Sequence, residues 1–407
     1  MSEALVSCLR AVVAIVALLV VGVLCSTNRR AIDWRFVIKA LIMQAILGFL
    51  ILWSPPGAAF LRHLSDAVGW ILSFGGAGSA FLFGGLVGPK MDDLFGGGAF
   101  VFALRVLPQI VYVAALLALL EHYGVLRLLA RGIGGVVSKI LGTTAMEGFS
   151  AVLTIFLGQT EMPVALQHTL DRLPRRVLAT VLCSGTASVA GSVLAGYASL
   201  GVPMTDLLAA SVMAIPGGLL FSRILFPGER EDAAALEHMV RRHGTVFEAL
   251  ADGAMNGVRI AVAVGAVLVA FVGLIALVDG LLGSMGLTLT RILGVVLAPV
   301  VWLMGVPWHE AVTAGGLFGQ KIVFNEFVAY ASLSPMIHAH ALSTHTVTIL
   351  SFALCGFANL STIGILIGAF GSAAPERRSD VAVLAGRAVI AGTLSNAMSA
   401  VIAGLLV

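Results

Sequence analysis

Charge is scarce in this sequence: 11% of its 407 residues are Asp, Glu, Lys or Arg, against about 25% in an ordinary soluble domain. With 59% hydrophobic residues and a mean hydropathy of +1.03, apolar segments run nearly end to end. That excludes a string of soluble domains and points to one polytopic membrane domain. The net charge of +3 is spread over loops, so there is neither a basic stripe for nucleic acid nor an acidic tail. Cysteine is scarce too, and the four present, Cys8, Cys25, Cys183 and Cys355, lie inside apolar runs, which argues against a disulfide framework. The first run, Ala4 to Cys25, is too long for a signal-peptide core and has no basic region before it, so a retained helix is expected. Catalytic spacings are missing as well. No Gly-Lys-Ser/Thr follows the glycine-dense stretch from Trp70 to Phe100, and no metal-hydrolase or nucleophile-elbow pattern with a plausible triad occurs. That stretch reads as close-packed interfacial helix and loop, and its Asp92 and Asp93 as interfacial; no enzyme and no cofactor are expected.

What is there is a series of apolar spans near the length that crosses a bilayer. Eight stand out, at about 4–25, 32–53, 101–122, 177–201, 206–226, 255–279, 343–371 and 380–406. Two further stretches, 147–172 and 312–337, carry glycine and polar residues at their middles and read as re-entrant helical hairpins. The expected fold is all-α. Lys and Arg cluster in alternate connections (Arg29, Arg30 and Arg35; Arg127, Arg131, Lys139, Arg172, Arg175 and Arg176; Arg223, Arg230, Arg241 and Arg242; Arg377 and Arg378). By the positive-inside rule both termini lie outside the inner or plasma membrane, the first hairpin enters from the cytoplasm and the second from the exterior. The charged segment from Gly228 to Gly253 reads as a cytoplasmic amphipathic helix on the membrane surface.

The costliest stretch is Leu157-Gly158-Gln159-Thr160-Glu161-Met162-Pro163. An ionised carboxylate at membrane depth costs roughly 2.5–3.5 kcal/mol on the lenient scales. Glu161 therefore faces protein, water or a ligand. Gly158 and Pro163 both interrupt helix, and broken helix at that depth is tolerated where it is buried in protein or lines a cavity. The other half of the chain repeats the theme. Gly158-Gln159 then Glu161 is matched by Gly319-Gln320 then Asn325-Glu326, and Arg127-Leu128-Leu129 by Arg291-Ile292-Leu293. Leu182-Cys183 and Leu354-Cys355 are each followed by a glycine (Gly196, Gly368) and a proline (Pro203, Pro375) at equal spacing. With the opposite orientations that the charges require, this is an inverted repeat, and transporters place their site between such repeats. The chain then divides into 1–142 as scaffold-side spans, 143–254 as the first repeat and 255–407 as the second.

Small and polar runs also break the spans that follow the hairpins, at Ser184-Gly185-Thr186-Ala187-Ser188 and Gly356-Phe357-Ala358-Asn359-Leu360-Ser361-Thr362. Two hairpins and two broken helices meeting at mid-membrane enclose a pocket containing Gln159, Thr160, Glu161, Glu326, Asn359 and Thr362. Two carboxylates, two amides and two hydroxyls suit a neutral ligand rich in hydroxyl and N–H groups. An anion would be repelled, and Lys321 is the one base nearby.

At this point the residues match a family. GQTEMP at 158–163, NEFVAY at 325–330 and GFANLSTIGI at 356–365 resemble the signature segments of the concentrative nucleoside transporters, in the bacterial-type nucleoside permease form. The resemblance runs from the third span onward. It implies a homotrimer of eight-span, two-hairpin protomers that imports nucleosides such as uridine or adenosine with sodium or protons by an elevator-like motion. It places Gln159, Thr160, Glu161 and Val193 at the nucleobase, and Glu326, Phe357, Asn359 and Thr362 at the ribose. It places a sodium ion between the Thr154 side chain, the Leu157 carbonyl, the Ser188 hydroxyl and the Val189 carbonyl. Sodium-coupled relatives usually carry asparagine where Thr154 stands, so sodium and proton both stay open.

Plainer readings stand beside these. Glu161, Glu326 and Asn359 can serve helix breaks; Thr154 and Ser188 can bond back to a carbonyl one turn earlier; Val193 and Phe357 can be packing. His338, His340 and His345 near Pro335 read as solvated histidines of an external loop. The rival transporter is a sodium-coupled carboxylate carrier with paired hairpins, and the rival from another class an intramembrane enzyme with Glu161 and Glu326 as acid and base.

Overall fold

Where water is scarce, backbone donors must find acceptors within their own segment, so a chain this apolar folds as helix. The computed structural model describes residues 3–88, 91, 101–228 and 244–407, and among these there is helix and no strand. Eight helices of the described residues are long and apolar enough to cross a membrane. They are not quite the eight expected. Pro55–Val87 joins the set, built from α3 (Pro55–Ser73) and α4 (Gly75–Phe83). Its prolines open the helix behind the Ser54 cap, where a missing N–H costs nothing. Its glycines resemble interfacial loop in sequence yet are tolerated in an apolar helix. The expected span 343–371 instead divides into two shorter helices, Thr344–Leu354 and Leu360–Ala373. Residues 89, 90, 92–100 and 229–243 lie outside the described residues, and with them Asp92, Asp93 and most of the expected surface helix at 228–253. From Val246 the chain already belongs to one helix of 37 residues, Val246–Leu282.

The two halves repeat one order of elements. An amphipathic helix, α6 (Val125–Leu141) or α12 (Leu289–Leu303), is followed by a hairpin. The first hairpin is α7 (Ala145–Leu153), a non-helical tip from Thr154 to Glu161, and two single turns, Met162–Ala165 and Gln167–Leu170. The second is α13 (Trp308–Val323), turning at Phe324 and Asn325 into α14 (Glu326–His338). Each then leads into a broken pair, α8 (Arg175–Ala187) with α9 (Gly191–Ser199), or α15 (Thr344–Leu354) with α16 (Leu360–Ala373). A long helix closes each half, α10 (Met204–Leu225) or α17 (Arg378–Leu406). Residue register does not repeat with the elements. The helix breaks directly after Leu354, whereas Leu182 lies well inside α8. Gln159 sits at its hairpin tip, whereas Gln320 is still inside α13.

Glycines decide how the amphipathic helices meet the hairpins. A Cβ on Gly134 would fall 2.6 Å from the carbonyl oxygen of Gly148, and one on Gly294 would fall 2.3 Å from that of Val312. Both obstacles are backbone, which cannot swing aside. Gly134→Ala is therefore expected to lower the thermal unfolding midpoint in detergent sharply, since overpacking costs about 1–3 kcal/mol or more. Gly135, with nothing within 4 Å, is the control, and its change to Ala should be neutral or stabilising by up to about 1 kcal/mol through helix propensity. The opposite ranking would refute this crossing.

One end of the bundle collects arginines from separate connections. Arg29 donates to the Val23 and Leu24 carbonyls, Arg387 to that of Cys25, and Arg175 and Arg377 both reach Asp380.

Candidate functional site

The tip of the first hairpin is seated on the breaks of both broken pairs. A Cβ on Gly158 would meet that of Ala190 at 2.9 Å, so the chain passes close enough to aim the next side chains inward. Gln159 Nε2 donates to Thr362 Oγ1 at 3.3 Å, while its Oε1 is buried with no donor. Thr160 is exposed. Glu161 Oε1 accepts from Asn256 Nδ2 at 2.5 Å, across from the long helix α11 (Val246–Leu282).

Glu326 opens α14, whose first turn Asn325 caps by accepting from Val328 N. Its carboxylate is buried, Oε1 accepting from the Tyr197 hydroxyl and Oε2 from Asn359 Nδ2, each at 3.0 Å. Asn359 is itself the cap of α16, its Oδ1 accepting from Thr362 N at 2.9 Å and from Ser361 Oγ at 2.6 Å. The cap fixes which end of the amide faces Glu326, so the plainer reading of Asn359 and the ligand reading use different atoms of one side chain. Thr362 Oγ1 donates to the Phe357 carbonyl at 2.5 Å, and Phe357 N donates to the Ser188 carbonyl at 3.2 Å.

These groups surround one cavity of about 170 Å³, lined by Gln159, Thr160, Glu161, Val193, Glu326, Phe357, Asn359 and Thr362. Its wall also includes Ile260, Ala263, Val264 and Val267, one stripe of α11 at helical spacing. That stripe was invisible in sequence because the span is apolar all round. Tyr197 and Asn256 were missed as well, although a hydroxyl or amide inside an apolar span was a usable signal. The helix breaks fall later, or are shorter, than their polar runs. Ser184 to Ala187 are helical and only Ser188 to Ala190 unwind, while Leu360, Ser361 and Thr362 already belong to α16.

Thr154, Leu157, Ser188 and Val189 are buried, and the tip and the break of α8/α9 touch there. Ser188 Oγ donates to the Thr154 carbonyl at 3.2 Å and to that of Ser184 at 2.9 Å. Thr154 Oγ1 donates to the Ala151 carbonyl at 3.0 Å. Both hydroxyls thus bond back to the helix that each one follows, that of Ser188 being shared with the tip, and both still offer oxygen lone pairs. Among the described residues no three His, Cys, Asp or Glu side chains group to hold a metal ion. His338, at the end of α14, shares its Nδ1 with the Ser334 carbonyl; it and His340 are exposed and His345 half-buried. Lys321 is fully buried outside the cavity lining, its ammonium donating to the Ala353 carbonyl at 2.9 Å and to Asn396 Oδ1 at 2.7 Å. Asn396 Nδ2 in turn donates to the Ala187 and Cys355 carbonyls at 2.7 and 2.9 Å, one at each helix break.

Comparison with known proteins covers the chain in three successive segments. Residues 13–86 match the family model for the Na+ dependent nucleoside transporter N-terminus, 103–204 that for nucleoside recognition, and 206–404 that for the Na+ dependent nucleoside transporter C-terminus. The putative nucleoside permease NupX of Escherichia coli (strain K12) is 46% identical, over 98% of this chain and 99% of its own. The nucleoside permease NupC of Helicobacter pylori is 42% identical, over 98% of each chain. Human solute carrier family 28 member 3 is 32% identical over 92% of this chain and 56% of its own. CNTnw in an inward-facing substrate-bound state is 49% identical and superposes with a TM-score of 0.94 over 98% of both chains. A CNTnw variant in an outward-facing state, 47% identical, gives 0.95 over 99% of both. With a complete set of hairpins and broken spans, and near-full-length identity to nucleoside permeases, the chain belongs to the concentrative nucleoside transporter family and is a membrane nucleoside transporter, not an enzyme.

Proposed function

We propose that this protein is a cation-coupled importer of nucleosides in the inner or plasma membrane, and that the cavity between the hairpin tips is where the nucleoside sits. The observation that carries the reading is the pairing of a buried carboxylate, Glu326, which has one donor on each oxygen, with the donorless Oε1 of Gln159 across the cavity. A carboxylate has about four lone-pair sites, so Glu326 keeps acceptors for a pair of ribose hydroxyls beside Asn359, Thr362 and Phe357. Gln159, Thr160 and Glu161 then meet the polar edge of the base. Val193 and the stripe from Ile260 to Val267 cover its faces. A ligand lacking a ribose hydroxyl leaves buried polar atoms unpaired, which such sites punish heavily. No basic side chain lines the cavity among the described residues, and Lys321 is spent elsewhere, which weighs against a carboxylate substrate.

For the coupling ion, the Thr154 and Ser188 hydroxyls and the Leu157 and Val189 carbonyls supply neutral oxygens of the kind that replace the hydration shell of a hard cation. An ion there would hold the tip against the break and so complete the nucleoside cavity. A proton is the alternative, with a site carboxylate as its carrier. The elevator motion is supported by the wall itself. The hairpin faces an apolar stripe of α11 on which it can slide, with Asn256 to Glu161 as a polar link. On the scaffold side, α11 packs its Gly253 and Gly257 against Ala114 and Val111 of α5 (Leu107–His122), the small-residue contact that membrane helices use. We take 1–142 as scaffold side and 143–254 and 255–407 as the two repeats, with both termini outside, the arginine-rich end cytoplasmic and three protomers per transporter.

The test is uptake of labelled uridine and adenosine into proteoliposomes under an imposed sodium gradient and, separately, a proton gradient. Sodium-driven accumulation is the expected outcome. Changing both Thr154 and Ser188 to alanine should then raise the sodium concentration for half-maximal uptake roughly thirtyfold, as two oxygen contacts worth about 1 kcal/mol each are lost. Unchanged sodium dependence would remove that ion site; proton-only accumulation would shift coupling to a carboxylate; no uptake under either gradient would sink the nucleoside reading.

A further inference from the structure

Arg176, at the start of α8, is a buried charge whose hydrogen-bonding needs are not met. It is 9% exposed, and Nε, Nη1 and Nη2 all lack a hydrogen-bond acceptor. Its nearest carboxylate, Glu147, lies 3.6 Å away and is already committed. Glu147 Oε2 accepts from Thr144 N, Thr144 Oγ1 and Arg223 Nη2 at 2.9, 3.0 and 3.1 Å, and Oε1 from Thr180 Oγ1 at 3.2 Å. Two buried guanidinium groups share one carboxylate, which leaves one positive charge in excess and Arg176 with an ion-pair contact but no hydrogen-bond acceptor. Buried donors in native proteins almost always have partners, so the Arg176 fork suits an acceptor with several oxygens.

Arg176 also helps to line a pocket. This pocket, of about 350 Å³, brings together Arg175, Arg176 and Arg387 with Thr27, at the arginine-rich end of the bundle. Besides Glu147, Asp380 faces these arginines, shared between Arg175 at 3.6 Å and Arg377 at 2.8 Å. The pocket also lies at the N-terminus of the 13-residue helix α8, whose unpaired N–H groups favour an anion. It does not end there. Through Val383 and Arg387 it joins a groove of about 570 Å³ whose walls include Leu24, Ile363 and Ile390. Leu24 and Val383 are 58% and 55% exposed, so the groove is apolar and open to the outside of the bundle.

We propose that this pocket and groove form one site for an anionic phospholipid. The headgroup phosphate occupies the arginine pocket and an acyl chain the groove. Arginine forks match phosphate oxygens two at a time, and the adjoining apolar channel selects an amphiphile over a free ion. The lipid would tie the first connection, the start of α8 and α17 together at the cytoplasmic surface. The inference does not depend on which substrate the central cavity holds.

The full-length protein, delipidated in detergent, would be titrated with phosphatidylglycerol, with phosphatidylcholine of the same chains, and with inorganic phosphate. Bound lipid would be read by native mass spectrometry and by the shift in thermal unfolding midpoint. Phosphatidylglycerol is expected to bind and stabilise, while phosphatidylcholine and phosphate do not at equal concentration. Changing the exposed pair Arg175→Gln and Arg387→Gln should weaken phosphatidylglycerol roughly tenfold or more, given the usual contribution of each basic residue to anionic lipid binding. Val383→Glu, which leaves every arginine in place, should weaken it as well by closing the groove. Arg176→Gln tests the buried donor directly, and if it does not fold the exposed pair decides. Equal binding of the two lipids, or an arginine pair variant that binds like the native protein, overturns the proposal. Inorganic phosphate that protects as well as the lipid and displaces it also overturns it, by making the site one for a free anion.

Discussion

Glu326→Gln abolishes nucleoside uptake while leaving folded protein in the membrane: this is the expected result of exchanging one oxygen for an amide at the centre of the cavity. The two groups around the carboxylate are both donors, the Tyr197 hydroxyl and Asn359 Nδ2. A glutamine can satisfy one of them with its oxygen, and the tyrosine hydroxyl can turn to accept from its NH2, so the surrounding packing survives. What is lost is the negative acceptor. A hydrogen bond to a charged group contributes about 1.5–3 kcal/mol, and two ribose hydroxyls would lose it together, a factor of 10² to 10⁴ in affinity. Asn359→Ala removes the other half of the arrangement and also the cap of α16, so it should abolish uptake with some loss of stability. The check is initial uptake rate and nucleoside binding on variants matched for folded protein by size-exclusion chromatography. Native transport by Glu326→Gln would overturn the assignment of the ribose end.

Asn396→Leu is expected to cost more stability than any change in the cavity. Its side chain is 2% exposed and holds three groups at once: the carbonyls of Ala187 and Cys355, and the ammonium of Lys321. Leucine has a similar volume and none of the hydrogen bonds. Two buried carbonyls lose their donor at about 1–3 kcal/mol each, and a buried ammonium is left with one acceptor, Ala353 O. The sum is comparable with the whole stability of an ordinary domain, about 5–15 kcal/mol, so little folded protein is expected. Adding Lys321→Met should recover much of the loss, because removing both partners of a buried polar pair is far milder than stranding one. The double variant should still transport poorly, as the two helix breaks are no longer tied. Thermal unfolding in detergent and uptake on the double variant read these two effects separately. A single Asn396→Leu as stable as the native protein would show that the staple contributes nothing.

These two residues mark how far the sequence could be read. Glu326 was legible because a carboxylate in an apolar segment has few reasons to be there, and Asn325 beside it announces a helix start. Asn396 is just as buried and polar, yet it sits in an unbroken helix among serines, and nothing local says that its partners are two helix ends far away in the chain. The same contrast runs through the fold. The hairpin tip from Gly158 to Pro163 could be recognised by its interruption of helix. The span Pro55–Val87 could not, because its glycines mimic loop where apolar surroundings let them stay helical. The polar run at Ser184 to Ser188 marked the right span and the wrong turn, since the unwinding at Ser188 is set by contacts with Phe156, Thr154 and Phe357.

By itself the amino-acid sequence determined the solvent this protein lives in, the helical class, the two hairpins, the order of the repeat and the polar residues that line the cavity. Each of these is written in local cost: a charge, an amide or a broken turn is expensive in hydrocarbon wherever it occurs, so its presence is informative alone. Only the tertiary structure decided what completes those residues. The apolar wall from Ile260 to Val267, the Tyr197 and Asn256 donors, the glycine crossing at Gly134 and the Asn396 staple depend on which faces meet. In a chain whose helices are apolar on every side, hydrophobic patterning does not say which face turns inward.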